Sequence, residues 1–156
     1  RRGGDLFVLC YILFMQKGVD YIGSGAVFFC HDGEGNILLA QRSKNAKDEH
    51  GNWDIGGGGI ELGDTAIDTL KKEIKEEYSV DVLSHEFLGY RDVHREHNGK
   101  KTHWIVLDFK VLVNKEQTKI GEPHKFDNIG WFTLKTLPTP LHSQLPFFLE
   151  KYKDKL

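Results

Sequence analysis

The stretch GGGGIELGDTAIDTLKKEIKEEYSV, running from Gly56 to Val80, limits what this chain can fold into more than any other part of it. Consecutive glycines give a core nothing to bury, and Glu73, Glu76 and Glu77 repel one another when they share a helix face. From Asp64 to Tyr78 the apolar residues Ile67, Leu70, Ile74 and Tyr78 recur at helical spacing, with Asp64 or Thr65 available as N-cap. Residues three and four apart project together, so the glutamates line one face while the apolar stripe takes a neighbouring sector that packs on a sheet. Like charges this close weaken a bare helix by about a few tenths of a kcal/mol per pair, and the cluster becomes favourable when divalent cations bind.

Hard carboxylate oxygens suit magnesium or manganese, and magnesium held by a few carboxylates keeps positions for water and for phosphate oxygens. The glycines supply the other half. A backbone without side chains comes close to a ligand, so a carbonyl there can reach a metal, and N–H groups of a glycine-rich turn can meet phosphate. Taken alone, ExxEE on a helix is most often a solvated face; joined to the glycines it points to a metal-bound polyphosphate.

At this point the stretch resembles the Nudix hydrolases, whose signature G-x5-E-x7-R-E-U-x-E-E-x-G-U, with U a bulky aliphatic residue, aligns without gaps from Gly58 to Val80. Gly58, Glu73, Ile74, Glu76, Glu77 and Val80 retain the pattern, and Trp53, Gly57, Glu61 and Gly63 match how family members run into it. The resemblance spans roughly residues 20–152 and implies an α/β fold of α+β type, a mixed β-sheet sandwiched between α-helices. It also implies hydrolysis of a nucleoside diphosphate-linked substrate by water attack at phosphorus, with Mg2+ or Mn2+ as cofactor.

Residue by residue, the resemblance makes Glu73, Glu76 and Glu77 metal ligands, with Gly57 lending a carbonyl and Gly57 and Gly58 bordering the substrate. Glu73 and Glu76 are also catalytic candidates, since one glutamate orients or deprotonates the water. Lys72 takes the catalytic position of the family's arginine, and Glu122, in GEPHKFD, is the candidate for a further base or ligand from a later loop. Four positions depart from the pattern: Asp64 replaces a glutamate, Lys72 the arginine, Ser79 the late glycine, and Gly56 a frequent proline. Lysine lacks the planar two-point fork of arginine. Ser79 lacks glycine's easy positive φ where the helix ends, a cost of about 1 kcal/mol or less.

The short chain and the EPHK…GWF…LP run resemble family members that cleave a nucleoside triphosphate, including oxidised or non-standard ones, to monophosphate and pyrophosphate. An ADP-ribose or nucleotide-sugar pyrophosphatase is the alternative, and a low-activity nucleotide-binding module on the same fold is a second. Retention of all three glutamates argues against the module.

Elsewhere the chain is punctuated by strands. Residues 22–31 and 37–42 read as a hairpin around DGEGN, 82–94 and 102–113 as two more strands joined by REHNGKK, and 129–132 as another. SKNAKDEHGN reads as a surface loop that overhangs a site, and LHSQLPFFLEKY as a helix with Pro146 near its start. Trp104 either stacks on a base or fills the core, and alternation favours the core; Trp131 reads as core too. Arg91 and Arg95 read as exposed, and His124 and Lys125 gain interest only from Glu122 beside them.

The formal charge of -2 argues against nucleic acid or membrane as the main partner; the resemblance implies a small nucleotide substrate, with monomer and homodimer both open. Residues 1–14, two arginines before an apolar run too short to span a bilayer, are expected to be an extension to a single domain over 15–156. Cys10 and Cys30 form no framework, which favours buried thiols and the cytoplasm. His94 and His97 have no cysteine or further histidine at ligand spacing, so they read as exposed hairpin residues and zinc gets little weight.

Overall fold

The computed structural model describes residues 15–97 and 99–156. The extension over 1–14, Cys10 within it, Asn98 of the expected turn and the side chain of His97 lie outside the described residues. Strand β1 (Gly23–His31) organises the sheet. It pairs in parallel with β6 (Lys100–Val113), antiparallel with β4 (Gly56–Gly59), and meets β2 (Ile37–Arg42) at His31 opposite Ile37. β2 carries β3 (Trp53–Asp54) and β7 (Phe126–Phe132), and β5 (Val82–His97) runs antiparallel along β6, completing a mixed sheet of seven strands. The first two strands therefore share a turn rather than a long ladder.

Helix α1 (Ala66–Tyr78) and helix α2 (Leu145–Tyr152) cover opposite faces of this sheet. The alternation along β1 assigns the faces: Phe28 meets Leu70, Ile74 and Tyr78 of α1, while Phe29 packs with Leu145, Phe148 and Tyr152 of α2. Pro146 sits in the first turn of α2, where its missing N–H costs no helical bond. No helix among the described residues is long and apolar enough to cross a membrane.

α1 begins as its sequence predicts. Thr65 accepts a hydrogen bond from the Asp68 N–H at 3.1 Å, and the Asp68 carboxylate accepts one from the Thr65 N–H, forming a capping box. It ends at Ser79, whose φ of 54° lies in the left-handed region that glycine occupies without steric penalty. Ser79→Gly is accordingly expected to stabilise the fold by about 0.5–1 kcal/mol, measured as a raised urea midpoint.

Candidate active site

The glycine run forms strand β4. Gly56 to Gly59 pair with Phe28 to Gly25, and their two faces alternate between the helix and an open cavity. A Cβ on Gly58 would fall 2.0 Å from Glu73 Cδ, and one on Gly56 would fall 2.5 Å from Glu77 Oε2 and 1.9 Å from a Phe28 ring carbon. On the other face a Cβ on Gly57 would lie 3.1 Å from the Ala26 carbonyl oxygen. Glycine is needed at 58 because the Glu73 carboxylate rests on the strand's backbone, and at 56 because the Phe28 ring does, with the Glu77 carboxylate beside it.

That contact separates the three glutamates. Glu77 is 1% exposed, Glu73 is half-buried over Gly58, and Glu76 is exposed. Lys72 is exposed and acts on Glu73 through charge. Opposite α1 stands the loop before β7. Gly121 N–H donates to the Glu77 carbonyl at 2.9 Å and Lys119 N–H to the Tyr78 carbonyl at 3.1 Å, so the loop is tied to the helix end. It delivers Lys125, whose Nζ lies 2.5 Å from Glu77 Oε1 and 3.2 Å from Glu122 Oε2. Glu77, Glu73, Glu122 and Lys125 thus form one cluster.

Burial pushes the Glu77 carboxyl up to about 8, with Lys125 opposing the shift. Burial also raises Glu73, against the pull of Lys125 and with help from Glu76 and Glu122. Desolvation works against charge on Lys125, yet Glu77 and Glu122 hold it above the ordinary lysine value. Glu77 Oε2 is buried and has no hydrogen-bond partner among the described residues. An orphaned carboxylate oxygen with two further glutamates beside it is a donor set of hard oxygens, and it fits a magnesium-class ion.

Beside the cluster lies a cavity of about 380 Å³ whose wall includes Gly57, Gly58, Glu77 and Lys125. Trp104 also lines it, half-buried, its indole lying against Gly18 and Gly23, so this residue belongs to the cavity wall rather than to the core alone. The loop of residues 43–52 does reach the site. Its Lys47 and Asp48 line the cavity, with Lys47 Nζ 6.0 Å from the Trp104 ring centre. Arg91 and Arg95 line it too, each committed to carboxylates: Arg91 to buried Asp108 at 2.8 Å, Arg95 to Asp48 at 3.0 Å and Glu49 at 2.5 Å. No local spacing signalled these residues. The period-two alternation of β5 and β6 is the only clue, because it puts Arg91, Val93 and Arg95 on one face with Thr102 and Trp104.

Asp54 and His142 form a second titratable pair in the wall, Oδ2 to Nδ1 3.4 Å. Burial pushes Asp54 up to about 7, with Arg42 pulling the other way, and burial lowers His142 to about 4 despite Glu49. A carboxyl whose folded value exceeds its unfolded one costs stability as pH rises through the folded value. Asp54→Asn should therefore be more stable than the parent by on the order of 2 kcal/mol at pH 8.5, a gap that closes toward pH 5 in parallel urea titrations.

The model of the NUDIX domain matches residues 22–152. Over 79 residues the chain is 33% identical to the CTP pyrophosphohydrolase of Escherichia coli (strain K12), a match covering 49% of this chain and 56% of that protein. The chain thus spans about half the length of that curated relative. The structure of a MutT NUDIX hydrolase from Burkholderia pseudomallei superposes with a TM-score of 0.74 at 25% identity, covering 84% of this chain and 98% of that one. The NUDIX domain of Shewanella oneidensis NrtR, solved with ADP ribose, superposes at 0.66 with 18% identity and 97% of both chains covered, a likeness of fold alone.

Proposed function

Because the chain belongs to the NUDIX domain family, we propose that it is a magnesium-dependent pyrophosphohydrolase that cleaves a nucleoside triphosphate to the monophosphate and pyrophosphate. The observation that carries this reading is Glu77: buried at 1% exposure, with one oxygen on Lys125 and the other without a partner among the described residues, at the edge of a cavity sized for a nucleotide. The name of the Escherichia coli relative, CTP pyrophosphohydrolase, favours a triphosphate over ADP-ribose or a nucleotide sugar.

Glu73, Glu76 and Glu77 are the residues to hold Mg2+ or Mn2+, with the Gly57 carbonyl as a further donor. When bound, the ion supplies charge neutralisation for the polyphosphate and a lowered pKa for the attacking water. The chain supplies the rest. Gly57 and Gly58 leave room for the phosphates to approach the backbone, and Trp104 offers an aromatic surface for the base. Lys125 Nζ offsets the charge of Glu77 and Glu122, which lets two acidic groups stay close beside an anionic substrate. Glu73, its proton affinity raised by burial, is suited to orient the water and take its proton at the carboxylate, with Glu122 as the other base in reach of the cluster.

Gly58→Ala tests the positioning directly. Its methyl must displace the Glu73 carboxylate, and we expect about a 10²-fold fall in kcat with an unchanged circular dichroism spectrum. The substrate class is tested by initial rates on a panel of nucleoside triphosphates, nucleotide sugars and ADP-ribose with and without EDTA. Triphosphates are expected to lead, and a higher kcat/KM on ADP-ribose would overturn that part of the reading.

A further inference from the structure

β5 and β6 form a ribbon whose two faces differ in chemistry. Arg91, Val93, Thr102 and Trp104 turn toward the cavity, while Asp92, His94 and His103 occupy the intervening positions. His94 and His103 are directly opposite each other across the two strands, and their rings stack with centroids 4.1 Å apart. Asp92 Oδ1 lies 3.2 Å from His103 Nε2. One donor atom from each of the three falls within 4.8 Å of the others. The backbone at His103 is held by a 2.8 Å hydrogen bond from its N–H to the Gly18 carbonyl, so this side of the cluster is anchored.

We propose that Asp92, His94 and His103 form a second metal site, one that takes a borderline divalent transition ion of the zinc class. The donor set decides the class: two imidazole nitrogens and one carboxylate suit zinc and its neighbours, whereas the glutamate cluster under β4 offers only hard oxygens. Two ligands on one tetrahedral zinc sit about 3.3 Å apart, close to the Asp92–His103 separation of 3.2 Å; all three donor atoms lie within 4.8 Å, so closing on an ion needs a side-chain adjustment of about an ångström or two, and three protein ligands leave one position for water. Asp92, His94 and His103 are absent from the cavity wall, so occupancy of this site can be read apart from turnover. It joins two strands, so an ion bound there stabilises the folded chain by mass action.

The test uses the full chain in saturating Mg2+, titrated with Zn2+ in competition with a chromophoric chelator, with Tm followed in parallel. One zinc equivalent is expected, together with a rise in Tm. His103→Ala and His94→Gln should each weaken that binding at least tenfold and abolish the Tm rise, while Glu73→Gln should leave both unchanged. Magnesium-supported turnover of the two histidine variants should match the parent. Zinc binding that survives both histidine substitutions, that disappears in Glu73→Gln, or that is undetectable in the parent chain overturns the proposal.

Discussion

Glu77→Gln is expected to lower kcat by about 10³-fold while leaving the fold in place. The substitution keeps the shape of a side chain that is 1% exposed and removes a charge that burial resists. Because burial raises the carboxyl's pKa to about 8, a neutral amide is spared the desolvation cost of the ionised carboxylate, and Tm should move by only a few degrees. Activity is another matter. An amide offers a metal at most a neutral carbonyl, and the orphaned Oε2 that marks the site is lost. Steady-state kinetics and a thermal melt on the same preparation check both halves, and a loss below tenfold would remove Glu77 from the centre of the site.

Lys125→Met separates the cluster's role in stability from its role in turnover. The ammonium is bonded to Glu77 at 2.5 Å and to Glu122 at 3.2 Å, so deleting it leaves a buried carboxyl without its counter-charge. Glu77 already has a folded pKa above its unfolded value, and losing Lys125 raises it further. The added cost appears where the carboxyl must ionise, at pH above about 8, and fades as pH falls and the group keeps its proton. We expect a destabilisation on the order of 2 kcal/mol at pH 9, less than for a fully buried pair because the lysine is 29% exposed, and a smaller one at pH 6. Combining it with Glu77→Gln should recover most of the loss at pH 9. Urea unfolding of the two single variants and the double variant gives the coupling, and strict additivity would contradict the ion-pair account.

Much of this architecture is legible in the sequence because it is written locally. Period, cap and charge cluster place α1 within two residues, and the NGK turn between two apolar runs announces the β5–β6 hairpin. Gly56–Gly59 are harder, since a strand without side chains has no period to read; only the pairing with β1 and the side chains resting on Gly56 and Gly58 reveal what the glycines are for. Glu73, Glu76 and Glu77 look equivalent on a helical wheel. The sheet beneath makes them unequal, burying one and exposing another. Lys125, Trp104 and Asp54 come from three separate strands or their approaches and meet only in the folded cavity, so no spacing could group them. The same holds for His94 and His103, nine positions apart yet facing partners across a ladder.

Hydrolysis of a triphosphate at the glutamate cluster is decided by 31P NMR of the products. With Mg2+ and a nucleoside triphosphate, monophosphate and pyrophosphate are expected in equal amounts, with neither formed in EDTA or by Glu77→Gln. Release of diphosphate and orthophosphate instead, or product formation that persists in the Glu77→Gln chain, would contradict it.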